Sequence, residues 1–233
     1  MKTQSIRFRG GVARVAAWHG RPDIASVALQ CRGAPPLDAV ELLLDQLRAA
    51  GYREVITNAL APGPSLPLVD SGFEIRGRLH LLAHDLTAAG PTPAGPTRRT
   101  RRCAPADRAA VLEVDAAAFD EFWRLDELGL DQAARATPRS QLRVNRGDEI
   151  AGYGLFGRAE RTGYVQRLAI HPGAQGAGLG LALLNDGLRW MRLRGARNAF
   201  VNTQADNERA LHLYEQAGFQ RLPVGLCVLG CKL

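Results

Sequence analysis

The sequence predicts a protein of the α/β (α+β) class that is built in two parts. Through residues 98–233, segments with the helical spacing of apolar residues alternate with short strand-like segments. One of these strands leads through a glycine-rich turn into a long helix. Residues 87–97 read TAAGPTPAGPT, with three prolines and two glycines, a composition typical of linkers. We therefore expect a smaller domain at residues 1–86 and a larger one at residues 98–233.

Turn and capping residues divide the larger domain into elements. Pro105 suits the first turn of a helix, Pro138 ends a second one, and glycines end two more. The helices are predicted at residues 105–119, 125–136, 178–194 and 207–217. Short apolar segments between turn residues indicate strands. The strands are predicted at residues 140–146, 149–158, 162–170 and 200–203, and at the C-terminal end.

Composition limits the classes of protein to consider. Hydrophobic residues make up 46% of the 233 residues and charged residues 23%, as in ordinary globular domains. No run of 18 apolar residues occurs, so we expect no membrane span. Residues 1–18 lack the uninterrupted apolar stretch of a secretory signal. We therefore expect a cytoplasmic protein.

The net charge of +7 raises the question of an anionic partner. The excess comes from scattered arginines, and a basic face attracts small anionic ligands as well as nucleic acid. We do not expect nucleic acid as the main partner. A nucleic-acid binder would show steeply salt-dependent affinity for DNA.

The four cysteines do not indicate a metal site. Cys227 and Cys231 lie close together, but neither a CxxC pair nor a matching histidine pair accompanies them. On a strand these two positions share a face, which favours two small buried thiols. We therefore expect no metal.

The strongest local signal is the sequence QGAGLG at residues 175–180, between a strand and a helix. Its glycines allow close approach of a ligand to the backbone, and the helix N-terminus favours a phosphate. The turn lacks the Lys-Ser/Thr of a P-loop and the glycine spacing of a dinucleotide site. A plain tight turn is the alternative.

Two motifs together resemble the GNAT superfamily of N-acetyltransferases. Residues 168–172 read LAIHP and are followed by Gln175, Gly178 and Gly180, which is similar to the acetyl-CoA motif of that family. The second motif comprises Asn207, Ala210, Leu211, Tyr214, Glu215, Gly218 and Phe219. The resemblance covers about residues 98–233. It implies a mixed sheet that splays between two central strands, with a V-shaped acetyl-CoA cleft flanked by helices.

The resemblance also implies roles for individual residues. Backbone amides of the glycine-rich turn would hold the pyrophosphate, the preceding strand would pair with the pantetheine arm, and Asn207 would hydrogen-bond near it. The implied cofactor-binding residues are Leu168, Ala169, Ile170, Gln175, Gly176, Ala177, Gly178, Leu179, Gly180 and Asn207. Tyr214 would stand near the thioester sulfur, where a phenol of pKa about 10 stabilises or protonates the departing thiolate. The alternative for Tyr214 is a core aromatic residue.

The chain departs from the family pattern at the general base. Family members often carry a glutamate on or beside the strand before the pyrophosphate turn. Residues 162–170 contain no carboxylate, and Gln166 and Arg167 stand there instead. His171 has a suitable pKa range, but a structural role at the His-Pro turn is the preferred interpretation. The general base would therefore be a water chain or a carboxylate from elsewhere in the protein.

The acceptor site is expected in the segment between the first two helices of the larger domain. Residues 119–127 combine carboxylates with aromatic side chains, which suits a cationic amine. We take Phe119, Glu121 and Trp123 as the candidate acceptor-binding residues. An ordinary amphipathic segment with a solvated acidic face is the alternative.

The N-terminal domain shows a weak repeat of the larger one. LLLDQLR at residues 42–48 precedes Gly51, as LLNDGLR at residues 183–189 precedes Gly195. Both then give a Gly-Phe pair at similar distance, which suggests duplication, with chance similarity as the alternative. Pro35 and Pro36 replace the glycine-rich turn and cannot donate backbone hydrogen bonds. We therefore expect a degenerate, non-catalytic GNAT-like unit; the rival is an unrelated small α/β domain.

The function implied is transfer of an acetyl group from acetyl-CoA to a primary amine. The acceptor, a small molecule or a protein N-terminus or lysine, is left open, as is the oligomeric state. The alternative is an acyl-CoA-binding regulatory pseudoenzyme, which the missing strand glutamate favours and the presence of Tyr214 disfavours.

Overall fold

A computed structural model describes residues 4–18, 21–31, 33–88, 100–147 and 149–233, which form two compact units. The first unit comprises the described residues of Met1–Leu81, Thr203–Asp206 and Leu222–Leu233. The second comprises those of Leu82–Asn202 and Asn207–Arg221. Residues 89–97 of the predicted linker lie outside the described residues.

The described strands and helices follow one another in this order along the chain: β1 (Gln4–Phe8), β2 (Gly11–Trp18), β3 (Arg21–Cys31), α1 (Leu37–Ala49), β4 (Glu54–Thr57), α2 (Pro62–Asp70), β5 (Glu74–Asp85), β6 (Thr100–Arg102), α3 (Arg108–Ala118), α4 (Glu127–Arg135), β7 (Arg139–Asn145), β8 (Gly152–Ala159), β9 (Thr162–Ile170), α5 (Leu179–Leu193), β10 (Asn198–Gln204), α6 (Glu208–Gln216), β11 (Gln220–Arg221) and β12 (Leu226–Lys232). Short 3-10 turns at Pro105–Asp107 and Pro172–Ala174 precede α3 and follow β9.

The first unit is a sheet covered by α1. Strands β1, β2 and β3 form an antiparallel meander, and β3 pairs in parallel with β4 after the chain passes through α1. Leu43 and Leu47, one turn apart on α1, are buried with Val55 of β4. Strand β12 pairs antiparallel with β4 and with residues 74–79 of β5.

This pairing groups β12 with the first unit, although β12 falls within residues 98–233. The backbone hydrogen bonds of a strand are shared with its neighbours, so a terminal strand groups with the sheet it joins. The assignment of one domain to residues 1–86 and another to residues 98–233 stays a prediction.

The second unit contains the mixed sheet that the sequence predicted. Strands β6 to β9 are antiparallel neighbours in chain order, and β10 joins β9 in parallel. The parallel register links residues 198–200 to residues 162–164, at the start of both strands. The sheet therefore splays between β9 and β10 toward their carboxyl ends.

Helices cover both faces of this sheet. Tyr153 and Leu155 of β8 join the buried cluster formed with α3 and α4, whereas Phe156, next along β8, joins the cluster formed with α5. Alternate side chains of a strand point to opposite faces, so the two clusters lie on opposite sides. The predicted helices and strands of this unit are confirmed to within three residues at each end.

Two further findings concern the described residues only. None of their helices is long and apolar enough to cross a membrane. Among them, no three His, Cys, Asp or Glu side chains are arranged to hold a metal ion.

Candidate active site

A cavity of about 410 Å³ opens in the second unit beside the end of β9. The turn before α5 forms one wall, α6 forms another, and Phe119 closes one side. Most of the predicted site residues meet here. Those that line the cavity are Phe119, Leu168, Ala169, Ile170, Gln175, Gly176, Gly178, Leu179, Gly180, Asn207 and Tyr214. The fold therefore brings together predicted residues that are up to 95 positions apart in the sequence, from Phe119 to Tyr214.

The glycine-rich turn is built for close approach to the backbone. Gly176 and Gly178 have φ values of +83° and +75°, in the left-handed region that favours glycine. A Cβ atom on either would meet no protein atom within 4 Å, so both face open space. Gly178 caps α5 without a side chain, which leaves the first amides of the helix without intrahelical acceptors. Such a helix N-terminus is a site for an anion.

Two side-chain hydrogen bonds fix this turn. Gln175 donates from Nε2 to the carbonyl of Ile170, 3.1 Å away, and so ties the turn back to β9. His171 accepts through Nδ1 from the amide of Gly173 at 3.2 Å. This capping bond is consistent with the structural interpretation of His171.

The end of β9 presents one backbone edge to the cavity. Its other edge is paired with β8, where Leu168 faces Gly154 and Ala169 faces Tyr153. Strand β10 pairs only with the beginning of β9, at residues 162–164. An extended ligand therefore finds backbone groups at residues 168–170 with which to pair as an added strand.

Helix α6 carries the two polar side chains of the opposite wall. Asn207 accepts from the amide of Ala210 at 3.0 Å and caps the helix, which leaves its Nδ2 group as the donor for a ligand. Tyr214, two turns later, is 6% exposed and packs edge-on against Phe219 with ring centroids 5.7 Å apart. Burial raises the pKa of Tyr214, and the positive charge of Arg167 opposes part of that increase.

A buried polar cluster supports the segment that carries Phe119. Asp115 of α3 is fully buried and accepts two hydrogen bonds from Arg167, at 2.8 and 2.9 Å. It also accepts from the Tyr153 hydroxyl at 2.5 Å and from the Leu125 amide at 2.6 Å. Burial raises the pKa of Tyr153, which keeps this phenol a donor.

Arg167 links β9 to the segment between α3 and α4. Its Nη2 donates to the carbonyl of Trp123 at 2.7 Å, and its guanidinium lies 3.5 Å from the centre of the Phe119 ring. The side chain at this position of β9 is therefore committed to holding the segment and supplies no general base. Asp115 and Tyr153 were not predicted from the sequence. The available signal was a carboxylate, Asp115, on the same helical stripe as Val111 and Val114.

The three predicted acceptor residues are placed differently. Phe119 lines the cavity, whereas Glu121 and Trp123 lie on the turn that follows. Asp120 holds that turn by accepting from the amides of Phe122 and Trp123, at 3.0 and 3.1 Å. Glu121 is exposed. The acceptor-binding role of these residues stays a prediction.

A mixed sheet that splays beside a glycine-rich helix start is the arrangement that the resemblance to the GNAT superfamily implied. The family model described as the acetyltransferase (GNAT) family matches residues 108–219. The chain is 30% identical over 233 residues to the mycothiol acetyltransferase of Geodermatophilus obscurus, covering 91% of this chain and 75% of that relative. The chain belongs to the GNAT family, which confirms the resemblance found in its sequence.

One further relative and one solved structure extend this comparison. The chain is 33% identical over 201 residues to the mycothiol acetyltransferase of Amycolatopsis mediterranei, covering 76% of this chain and 65% of the relative, so it spans less than two thirds of that protein. Its fold is similar to a tandem GNAT protein from the clavulanic acid biosynthesis pathway, solved without AcCoA. The TM-score is 0.69 at 15% identity, covering 96% of this chain and 79% of that one.

Proposed function

We propose that the second unit transfers an acetyl group from acetyl-CoA to a primary amine. The observation that carries this proposal is the alignment of three features along one cavity: the open glycine-rich turn, the free backbone edge of β9, and the buried hydroxyl-bearing side chain of Tyr214. The anionic portion of one donor molecule would meet the turn, its extended portion would meet the strand edge, and its reactive portion would meet Tyr214.

The residues present fit acetyl-CoA, which supplies an acetyl group activated as a thioester. Amides at the start of α5 would bind its diphosphate, since they lack intrahelical acceptors and stand at the positive end of the helix. The edge of residues 168–170 would orient its extended arm, and the Nδ2 of Asn207 would donate to an amide oxygen there.

Tyr214 would donate a proton to the sulfur as the thioester bond breaks. Its buried position keeps the phenol protonated at neutral pH, which is the form that a proton donor requires. The nearby positive charge of Arg167 opposes the rise in the pKa of Tyr214, and so makes the phenol a stronger acid than burial alone would.

The acceptor amine would approach past Phe119, the aromatic residue at the side of the cavity. The guanidinium of Arg167 lies over the ring of Phe119 and holds it in place, so this ring would form a fixed apolar side of the acceptor's path. Since relatives are named mycothiol acetyltransferase, thiol-bearing amines belong among the acceptors to be tried first.

Isothermal titration calorimetry with acetyl-CoA tests the donor half of this proposal. We expect saturable binding with a Kd below about 1 mM, as for ordinary enzyme substrates. Desulfo analogues should bind as well, because the turn and the strand edge would hold the diphosphate and the extended arm rather than the sulfur. Absence of binding by both would overturn the proposal, and binding without any amine-dependent release of thiol would support a regulatory acyl-CoA-binding protein instead.

A further inference from the structure

A second cavity in the second unit is lined by arginines. It has a volume of about 520 Å³ and lies where β6, the start of β7 and the end of α5 meet. It is lined by Arg102, Pro138, Arg139, Ser140, Gln141, Trp190 and Arg194. None of these residues lines the cavity beside the end of β9. Helix α5 has 15 residues, so its two ends, which serve the two cavities, are about 22 Å apart.

The arginines of this cavity differ from their neighbours in having no carboxylate partner within the described part of the chain. Arg101 is paired with Asp107 at 2.6 Å, and Arg143 donates to Asp186 at 2.5 Å. Among the described residues, no ion pair within 4.0 Å involves Arg102, Arg139 or Arg194. The one acidic residue outside the described ones is Asp148, which follows the end of β7 remote from Arg139.

Strand pairing adds a fourth positive charge beside these three. Arg139 of β7 stands directly opposite Arg158 of β8 in the antiparallel register. Like charges in that arrangement are destabilising. The Nε atom of Arg158 is buried and has no hydrogen-bond partner among the described residues. This end of the sheet therefore concentrates positive charge that no carboxylate of the described residues pairs with.

We propose that this cavity binds a small molecule through a phosphate group that carries at least two negative charges. Guanidinium groups match phosphate oxygens in geometry and charge, and three of them border one cavity here. Ser140 and Gln141 add neutral hydrogen-bonding groups, and the half-buried Trp190 adds a flat apolar surface. The volume lies within the range of about 300–1,000 Å³ found for small-molecule sites.

A small ligand fits these observations better than a nucleic acid does. Duplex DNA is held through phosphates spread along a basic stripe, whereas the three arginines here border one cavity. The proposal does not depend on the acetyltransferase chemistry, because the two cavities share no residue.

The test is a titration of the full chain with inorganic pyrophosphate in excess acetyl-CoA. It compares two double variants of equal charge: Arg139→Gln with Arg194→Gln, and Arg189→Gln with Arg192→Gln. All four arginines are exposed, and the control pair lies on α5 but not in the cavity. Thermal unfolding checks that both variants fold.

We expect the cavity variant to bind pyrophosphate at least about tenfold more weakly, since two charge-assisted hydrogen bonds are lost. The control variant should change the affinity less than about twofold, because exposed charges away from the ligand are screened. Equal weakening in both variants would overturn the proposal in favour of general attraction to a basic protein. So would an undetectable affinity in the unmodified chain, or a short DNA duplex that binds more tightly than pyrophosphate.

Discussion

Tyr214 is the side chain on which the proposed chemistry depends most. It lines the cavity and is only 6% exposed. Its ring also packs against Phe219, so the same residue contributes to the core and to the site. Removal of the hydroxyl alone separates these two contributions.

Tyr214→Phe should lower kcat by roughly 10- to 1000-fold, the range for loss of a general acid. The affinity for acetyl-CoA and the melting temperature should change little, because the ring and its contact with Phe219 are retained. Tyr164→Phe, which alters a half-buried phenol on β9 outside the cavity lining, is the matched control. Normal turnover in Tyr214→Phe would return Tyr214 to a purely structural role.

The dependence of kcat on pH follows from the direction of the Tyr214 shift. Burial raises the pKa of Tyr214, so the proton-donating form persists to a higher pH than for a free phenol. We therefore expect no fall in kcat between pH 7 and about pH 10, the ordinary tyrosine value. A pH–rate profile measures this. A decline in kcat below about pH 10 that disappears in Tyr214→Phe would contradict the raised pKa of Tyr214.

Asp115 should be the most destabilising polar position of the second unit to alter. Asp115→Asn leaves the largely buried Arg167 guanidinium without its charged partner, and breaking such a pair costs about 3–5 kcal/mol in the free energy of unfolding. Asp131→Asn, which removes a partly exposed partner of Arg108, should cost about 0–1 kcal/mol. Urea unfolding compares them. Similar losses in both would show that the buried cluster does not hold this unit together.

At the scale of residues, the sequence predicted the contacts that a local motif encodes and not those that the fold creates. Gln175, Gly178, Asn207 and Tyr214 belong to two contiguous motifs, and all four line the cavity. In the buried cluster, Tyr153 lies 38 positions after Asp115 along the chain, and Arg167 lies 52 positions after it. No spacing rule joins them before the sheet and α3 are in place.

The turn before α5 is the element that binding of the donor requires. Its two glycines with positive φ allow the backbone to curve around a ligand, and both face open space. A side chain at either position would enter that space and strain the backbone.

Gly178→Val should weaken acetyl-CoA binding by more than about tenfold, because a β-branched residue disfavours this φ value and obstructs close approach. Gly51→Val is the matched control, with φ +86° and equally open surroundings in the first unit. Both variants carry the same backbone strain, but only Gly178 lies at the cavity. Isothermal titration calorimetry reads the affinity; unchanged binding in Gly178→Val would remove the turn from the site.

At the scale of elements, amphipathic periodicity predicted the second unit well and the first unit less well. Strand β9 was predicted at its observed bounds, residues 162–170. Helix α2 was not predicted, because Pro62, Pro64 and Pro67 argue against a helix. Burial of Leu68 in the core of the first unit outweighs that preference. Strand β6 has three residues, too few for a period to be visible.

At the scale of the whole molecule, the two units share an order of elements. Strand β3, α1, β4 and α2 follow one another as β9, α5, β10 and α6 do. The glycines that follow these helices match in conformation. Gly51 and Gly195 both have φ of +86°, and Gly72 and Gly218 have φ of +89° and +92°. These matches support the proposed duplication of a GNAT-like unit.

One equivalence explains why the first unit would be inactive. The amide of Phe73 donates to the carbonyl of Leu68 at 3.0 Å, as the amide of Phe219 donates to the carbonyl of Tyr214 at 3.0 Å. Leu68 therefore occupies the position of Tyr214 and offers no hydroxyl. Pro36 caps α1 where Gly178 caps α5.

We accordingly expect one acetyl-CoA per chain. The prolines before α1 lack the amide hydrogens that a diphosphate needs. The stoichiometry from isothermal titration calorimetry should be one, and Gly178→Val should weaken that single event without revealing a second one. A stoichiometry of two, or an event of unchanged affinity in that variant, would contradict the assignment of a non-catalytic first unit.

The most direct measurement of the central claim is acetyl transfer itself. The chain is incubated with acetyl-CoA and a panel of primary amines: a thiol-bearing amine, an amino sugar, a polyamine and a lysine peptide. Thiol release and the mass of the amine product are followed together. We predict amine-dependent thiol release and an acceptor heavier by one acetyl group, both suppressed in Tyr214→Phe. Release of thiol without any acetylated amine, or transfer unaffected by that substitution, would contradict the proposed transfer in the cavity beside β9.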